Sequence, residues 1–166
     1  MKISIDAGHN CKPDSGAVGI RKEDDLTKQV VASIIKLIPK TVRIYDCTPY
    51  GKTFSNITQS LAFRVDEANI YKSDLHLCIH FNAGGGEGIE SYAISTTGKK
   101  YASQICFNIA ALGYKNRGVK DGSHLYVVKN TNMPCVLVEC SFIDNVHDMK
   151  IYNADAIANA IIKAVI

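Results

Sequence analysis

Four side chains in this sequence have the types and positions to do chemistry together. His9 stands just past the alternating run KISIDA and Gly8, and His80 lies near the end of the apolar run LHLCIHFNA. Glu139 comes late in CVLVEC, and Glu23 opens the helical pattern that begins EDDL. Two imidazoles and one carboxylate are the donor set of a catalytic zinc site, whose fourth tetrahedral position is left to water. A further carboxylate that is not a ligand then acts as general base. The chemistry these types imply is metal-assisted hydrolysis, with an amide as the natural target. Each residue alone has an ordinary explanation. A lone histidine is usually a hydrogen-bonded core residue, and Glu23, Asp24 and Asp25 are what the dipole of a helix start favours. Glu139 is harder to dismiss, because a carboxylate attached to an apolar strand is costly to bury unless paired, protonated or near a metal.

The surrounding elements must bring these side chains together. Leu75, Leu77 and Ile79 alternate with His76, Cys78 and His80, a period of two, and Gly84, Gly85 and Gly86 then break regular structure. His80 thus sits near the carboxyl end of a strand. A helical His76/His80 metal pair at i, i+4 is disfavoured, since Leu77 stands where H-E-x-x-H needs its glutamate. Residues 2–7 form a first strand, and the loop 10–19, with Pro13, Gly16 and Gly19, is long enough to suggest a functional role. Leu26, Val30, Ile34 and Leu37 mark the inward face of a helix over 23–38, which Pro39 terminates. A strand over 41–45, a loop over 47–55 and a helix over 57–71 follow, with Ile57, Leu61, Val65 and Ala68 inward. Further strands are expected at 88–94, 125–129 and 135–140. A turn at 96–98, a helix over 99–112 and a polar connection over 113–123 lie between them. Two short helices, 145–152 and 154–165, close the chain. Strands feeding helices in this order imply one α/β domain over 1–166: a twisted, mostly parallel central sheet of about six strands with helices on both faces. The carboxyl ends of parallel strands share one edge, where ligands bind. His9, Glu23, His80 and Glu139 would converge there.

At these residues the chain resembles the zinc-dependent N-acetylmuramoyl-L-alanine amidases of the Amidase_3 type. The matching segments are IDAGH, EDDL, IHFNA followed by glycines and GIE, NRGVK, and PCVLVECSFIDN; they cover essentially the whole chain. Among such proteins it looks most like clostridial phage endolysin catalytic domains. The resemblance implies one zinc ion per chain held by His9, Glu23 and His80, with Glu139 as the catalytic carboxylate. It also implies a substrate in peptidoglycan, cut at the amide between N-acetylmuramic acid and L-alanine, and an amidase catalytic domain spanning 1–166. Asn10-Cys11-Lys12 replaces glycines common after the first histidine, and Cys140-Ser141 replaces a glycine common after the catalytic glutamate. Asn82 and Arg117 are candidate substrate contacts, and Glu90 of GIE orients a neighbour or caps a turn. His76 is expected in the core, and His124 and His147 in solvent.

Composition narrows the partners. The chain has 166 residues, 46% hydrophobic and 21% charged, with 19 basic against 16 acidic side chains and a net charge of +3. No basic cluster calls for nucleic acid, although a mildly basic surface suits an anionic polymer such as a cell wall. No segment is long enough to insert in a membrane, and MKISIDAGHN has no leader pattern. The expectation is synthesis in the cytoplasm without a signal peptide and action on the wall after release by lysis, with a wall-binding domain following in the full-length protein. The six scattered cysteines form no C-x-x-C and are read as small buried hydrophobes. Two other classes compete. One is a cysteine-dependent cell-wall peptidase, with Cys11 or Cys140 as nucleophile and His9, His80 or His124 as base. The other is a non-catalytic wall-binding module.

Overall fold

The computed structural model describes residues 1–166. In chain order its elements are β1 (Lys2–Ala7), α1 (Glu23–Leu37), β2 (Arg43–Asp46), α2 (Ile57–Tyr71), β3 (Leu75–Asn82) and β4 (Ile89–Ala93). They continue as α3 (Thr96–Ala110), β5 (Asn116–Asp121), α4 (Tyr126–Asn130), β6 (Cys135–Phe142), α5 (Val146–Lys150) and α6 (Ala154–Val165). The six strands form one sheet in the order β2-β1-β3-β6-β4-β5. All neighbours run parallel except β4 against β6. The α/β class, the single mostly parallel sheet and the helices on both faces are as the sequence implies.

Strand alternation gives the sheet two chemically different faces. One face carries Ile3, Ile5, Leu75, Leu77, Ile79, Val136 and Val138, all almost fully buried, and packs on Leu26, Val30 and Ile34 of α1, Ile105 and Ile109 of α3, and Ile157 and Ile161 of α6. Its buried core holds 30 residues, against 6 in the cluster on the other face, so hydrophobic burial drives folding mainly from the first side. The second face carries Ser4, Asp6, His76, Cys78, His80, Cys135, Leu137, Glu139 and Glu90, whose register partners align them across the strands. Only α2 and α4 cover it.

Three segments differ from the sequence reading. LYVVK, expected as a strand, supplies the short helix α4, with Val127 and Val128 both buried against Cys78, Cys135 and Leu137. Adjacent residues on a strand would point to opposite faces, so a helical turn is what buries both. NRGVKD, expected within a polar connection, is instead the edge strand β5, mostly half-buried or exposed and so without an apolar signature. On α2 the buried stripe is Ser60, Arg64, Val65 and Ala68, whereas Ile57 is exposed. The helix is therefore rotated toward a polar face that its apolar residues did not announce. No helix is long and apolar enough to cross a membrane.

Candidate metal centre

His9 and Glu23 meet His80 at the carboxyl-end edge of the sheet, His9 just past β1 and His80 two residues before the end of β3. Glu23 Oε1 lies 3.3 Å from His9 Nε2 and 3.2 Å from His80 Nδ1. The two imidazole rings stand 5.0 Å apart, nearly perpendicular. Donors about 2.0–2.1 Å from a common tetrahedral ion would lie about 3.3 Å apart, so both contacts have the spacing that zinc requires. The ligating atoms of all three residues fall within 4.8 Å of one another. The donor set and its geometry fit the ion.

Each donor is aimed by its local structure. Glu23 is the first residue of α1. Oε2 accepts from Ala17 N–H at 3.0 Å and Oε1 from Phe81 N–H at 3.1 Å, which ties the helix start to the long first loop and to β3. Two glycines make room. A Cβ at Gly8 would fall 2.2 Å from the His80 ring, and one at Gly16 would fall 2.8 Å from the Glu23 Cβ. His9 and Asn10 both have left-handed backbones, with φ of 62° and 63°. That conformation costs a non-glycine residue about 1–3 kcal/mol, so the surroundings must hold it. Asn10 Nδ2 does so by donating to Gly8 O and to Thr27 Oγ1 at 2.8 and 2.9 Å. With Lys12 and Lys52, Asn10 borders a polar depression of about 460 Å³.

The two carboxylates of the site are in opposite electrostatic states. Burial works to raise the Glu23 carboxyl, but the hydrogen bonds from His80 and His9 outweigh it and hold the group well below the usual range. Glu139 has no such bonds, and its Oε2 is sealed from solvent without a partner. Burial, reinforced by Glu23 and Glu90, pushes its carboxyl up to about 7 against the pull of His80. It pairs in register with His80 on one side and Glu90 on the other, and so stands on the same face beside the centre. β6 runs on past Glu139 to Phe142, so this glutamate lies within the strand rather than at its end.

Asn82 and Arg117, the candidate substrate contacts, both meet Glu90: Asn82 Nδ2 donates to Oε1 at 2.9 Å and Arg117 Nε to Oε2 at 2.7 Å. Arg117 also lies 5.0 Å over the Phe142 ring. Glu90, buried directly opposite Glu139, therefore orients both. Three residues that sequence reasoning missed stand behind His9. Asp14 Oδ1 meets His9 Nδ1 at 2.7 Å, Ser60 Oγ donates to Asp14 Oδ2 at 2.6 Å, and Arg64 Nη2 lies 3.8 Å from that same oxygen. Arg64 further donates to Asp6 Oδ1 at 2.6 Å, to Ala7 O at 2.8 Å and to His9 O. With Asp14 and Glu23 as partners, His9 is pushed up to about 10 despite burial, which alone would lower it. The available signal was Ser60 and Arg64 at i, i+4 on one helix, and Asp14 inside a loop too long for a simple connection.

His76 is fully buried, its ring held between Ser4 Oγ at 2.8 Å and Asp6 Oδ2 at 3.1 Å. His124 and His147 are exposed. All six cysteines are free and buried. Cys11 Sγ is 3.2 Å from Ser60 Oγ, and Cys140 contacts Val138 O from the apolar side of the sheet. Burial pushes the Cys140 thiol well above its ordinary value. Neither has the imidazole partner that a thiolate nucleophile needs.

Comparison with known proteins settles the relationship. The profile of the Amidase_3 family, described as N-acetylmuramoyl-L-alanine amidase, matches residues 3–166. The chain belongs to this family. It is 32% identical over 167 residues to the endolysin of Bacillus phage SPP1, covering 95% of this chain and 60% of that protein. To the N-acetylmuramoyl-L-alanine amidase LytC of Bacillus subtilis it is 37% identical over 154 residues, 88% of this chain and 30% of that one. Among solved structures, the catalytic domain of the CD27L endolysin targeting Clostridia Difficile superposes with a TM-score of 0.89 at 27% identity, covering 99% and 96% of the two chains. The N-acetylmuramoyl-L-alanine amidase of Clostridium difficile 630 gives 0.85 at 25%, covering 99% and 94%. The amidase fold described here spans about half the length of the first curated relatives it matches.

Proposed function

We propose that this chain is a zinc-dependent hydrolase that cleaves the amide between N-acetylmuramic acid and L-alanine in bacterial peptidoglycan. The observation that carries the reading is the gathering of His9, Glu23 and His80 around one point, with the unpartnered Glu139 carboxyl beside it. Family membership supplies the substrate class. His9, Glu23 and His80 would hold the ion. When bound there, zinc supplies a water acidified from ~15.7 toward ~7 and a Lewis acid for the scissile carbonyl.

The chain's own residues do the rest. Glu139 takes the proton of the attacking water and returns it to the departing amine, and an ionisation near neutrality lets it do both. Glu23 is held ionised by its hydrogen bonds and so is ready to serve as an anionic donor. Asn82 at the end of β3 and Arg117 on β5, both fixed by Glu90, are the proposed substrate contacts. The charge of +3 favours encounter with an anionic wall. The likeness to an endolysin supports action on the cell wall; synthesis in the cytoplasm and release by lysis are part of the proposal, and a wall-binding domain joined to this chain would concentrate the catalyst at its substrate.

Dye-labelled cell walls, with mass spectrometry of the soluble products, test this. Release should expose new amino-terminal L-alanine rather than reducing sugar ends. It should stop with a strong chelator, return with zinc and ignore thiol alkylation. Glu139→Gln should retain about one zinc per chain and lose about 10²–10⁴-fold in rate. Glu23→Ala should lose the metal. Undiminished hydrolysis by Glu139→Gln, or products bearing only reducing ends, would overturn the reading.

A further inference from the structure

Arg64 is among the largest side chains in the protein to be fully buried, and it sits on a helix that contributes no residue to the metal centre. Burying a guanidinium is costly unless every donor is used. Here it is spent on the segment that carries His9: Asp6, Ala7 O, His9 O and the Asp14 carboxylate. Ser60, one helical turn earlier on the same face, donates to the same Asp14 oxygen that Arg64 approaches. The other Asp14 oxygen is left for His9 Nδ1.

We propose that Asp14, braced by Ser60 and Arg64 of α2, is a positioning residue for the metal: it holds the His9 ring by Nδ1 so that Nε2 alone faces Glu23 and His80. The inference rests on the metal-centre reading above and deepens it. A metal-bound imidazole has one ring nitrogen on the ion, and the hydrogen bond made by the other fixes both tautomer and ring angle. His80 has no comparable brace, since its Nδ1 already faces Glu23. His9 needs one more, because its left-handed backbone would otherwise relax and carry the ring away. The polar face of α2 is thereby explained: Ser60 acts on the centre through Asp14, and Arg64 acts through Asp14 and the His9 backbone.

Zinc competition against a chromophoric chelator, run on the full chain, tests the assignment. Asp14→Ala should lose about 10–100-fold in zinc affinity, the range that removing such a partner produces. Asp14→Asn keeps an oxygen that can accept from Nδ1–H and should lose much less; Ser60→Ala should lose a few-fold. Thermal melting with and without zinc separates positioning from bulk stability. A positioning role shrinks the zinc-induced rise in melting temperature, whereas a structural one lowers both curves together. If Asp14→Ala does not fold, Ser60→Ala decides. Zinc affinity within twofold of the unsubstituted chain in Asp14→Ala, or in Ser60→Ala where Asp14→Ala does not fold, alongside clear loss in Glu23→Ala, would overturn this inference and leave the metal centre standing. No zinc uptake by the unsubstituted chain would overturn both.

Discussion

The two faces of the sheet are made by the same strands and do opposite work. Leu75, Leu77 and Ile79 of β3 are packed by α1, α3 and α6 into a continuous apolar core. His76, Cys78 and His80 of the same strand look the other way, into a face where buried polar groups are wired together. There Ser73 contacts Ser4, Ser4 contacts His76, His76 reaches Asp6, and Asp6 is held by Arg64, which reaches toward Asp14 and His9. The first face supplies stability through area removed from water. The second holds groups that would be costly to bury singly and aims them at one point. A single strand can serve both because its period of two keeps the two sets of side chains apart.

The comparison can be broken most sharply at Arg64. Replacing Arg64 by Met leaves Asp6 and Asp14 buried without their cation and should cost about 3–5 kcal/mol in denaturant unfolding of the metal-free chain. It should also weaken zinc binding in the molecules that remain folded. On the opposite face, Leu77→Ala should cost about 2–5 kcal/mol by leaving a cavity. There zinc affinity of the folded chain should be unchanged, and an equal loss of affinity in both variants would erase the distinction between the faces.

The smallest effect is a pH dependence. Glu139 ionises near 7 in the folded chain against an ordinary value of 4.5, so the folded state binds its proton more tightly. The stability due to this group is present below about pH 4.5 and is lost as the pH rises through about 7. Metal-free Glu139→Gln should therefore gain on the parent by about 1–3 kcal/mol between those limits. A flat difference would mean that the carboxyl is not held in the dry, unpartnered setting described.

The apolar face was legible in the sequence because hydrophobic alternation encodes it directly. The gathering of His9, Glu23 and His80 was legible because they stand at or near the ends or starts of recognisable elements, and Glu139 drew notice as a carboxylate in an apolar strand. The centre's support was not. Arg64 in FRVDE reads as a solvated helical position, and only the packing of α2 on Asp6 shows that it is buried. β5 escaped notice since an edge strand with Lys120 and Asp121 exposed has little apolar pattern to offer. LYVVK misled through its two β-branched residues, whose preference for strand gave way to the gain from burying both on one side.

Between Glu139 and Phe142, β6 spends two residues where β3 spends only Phe81, since His80 pairs with Glu139 and Asn82 with Phe142. The extra residue works like a phase shift in a repeating signal. It brings Phe142 round beneath the Arg117 guanidinium. Removing Ser141 would erase the extra residue and leave Phe142 two positions after Glu139, as Asn82 is two after His80, with the pairing downstream intact. A shortening by one residue should thus be absorbed at this point, where the same deletion just before Glu139 would turn that carboxyl to the other side of the sheet.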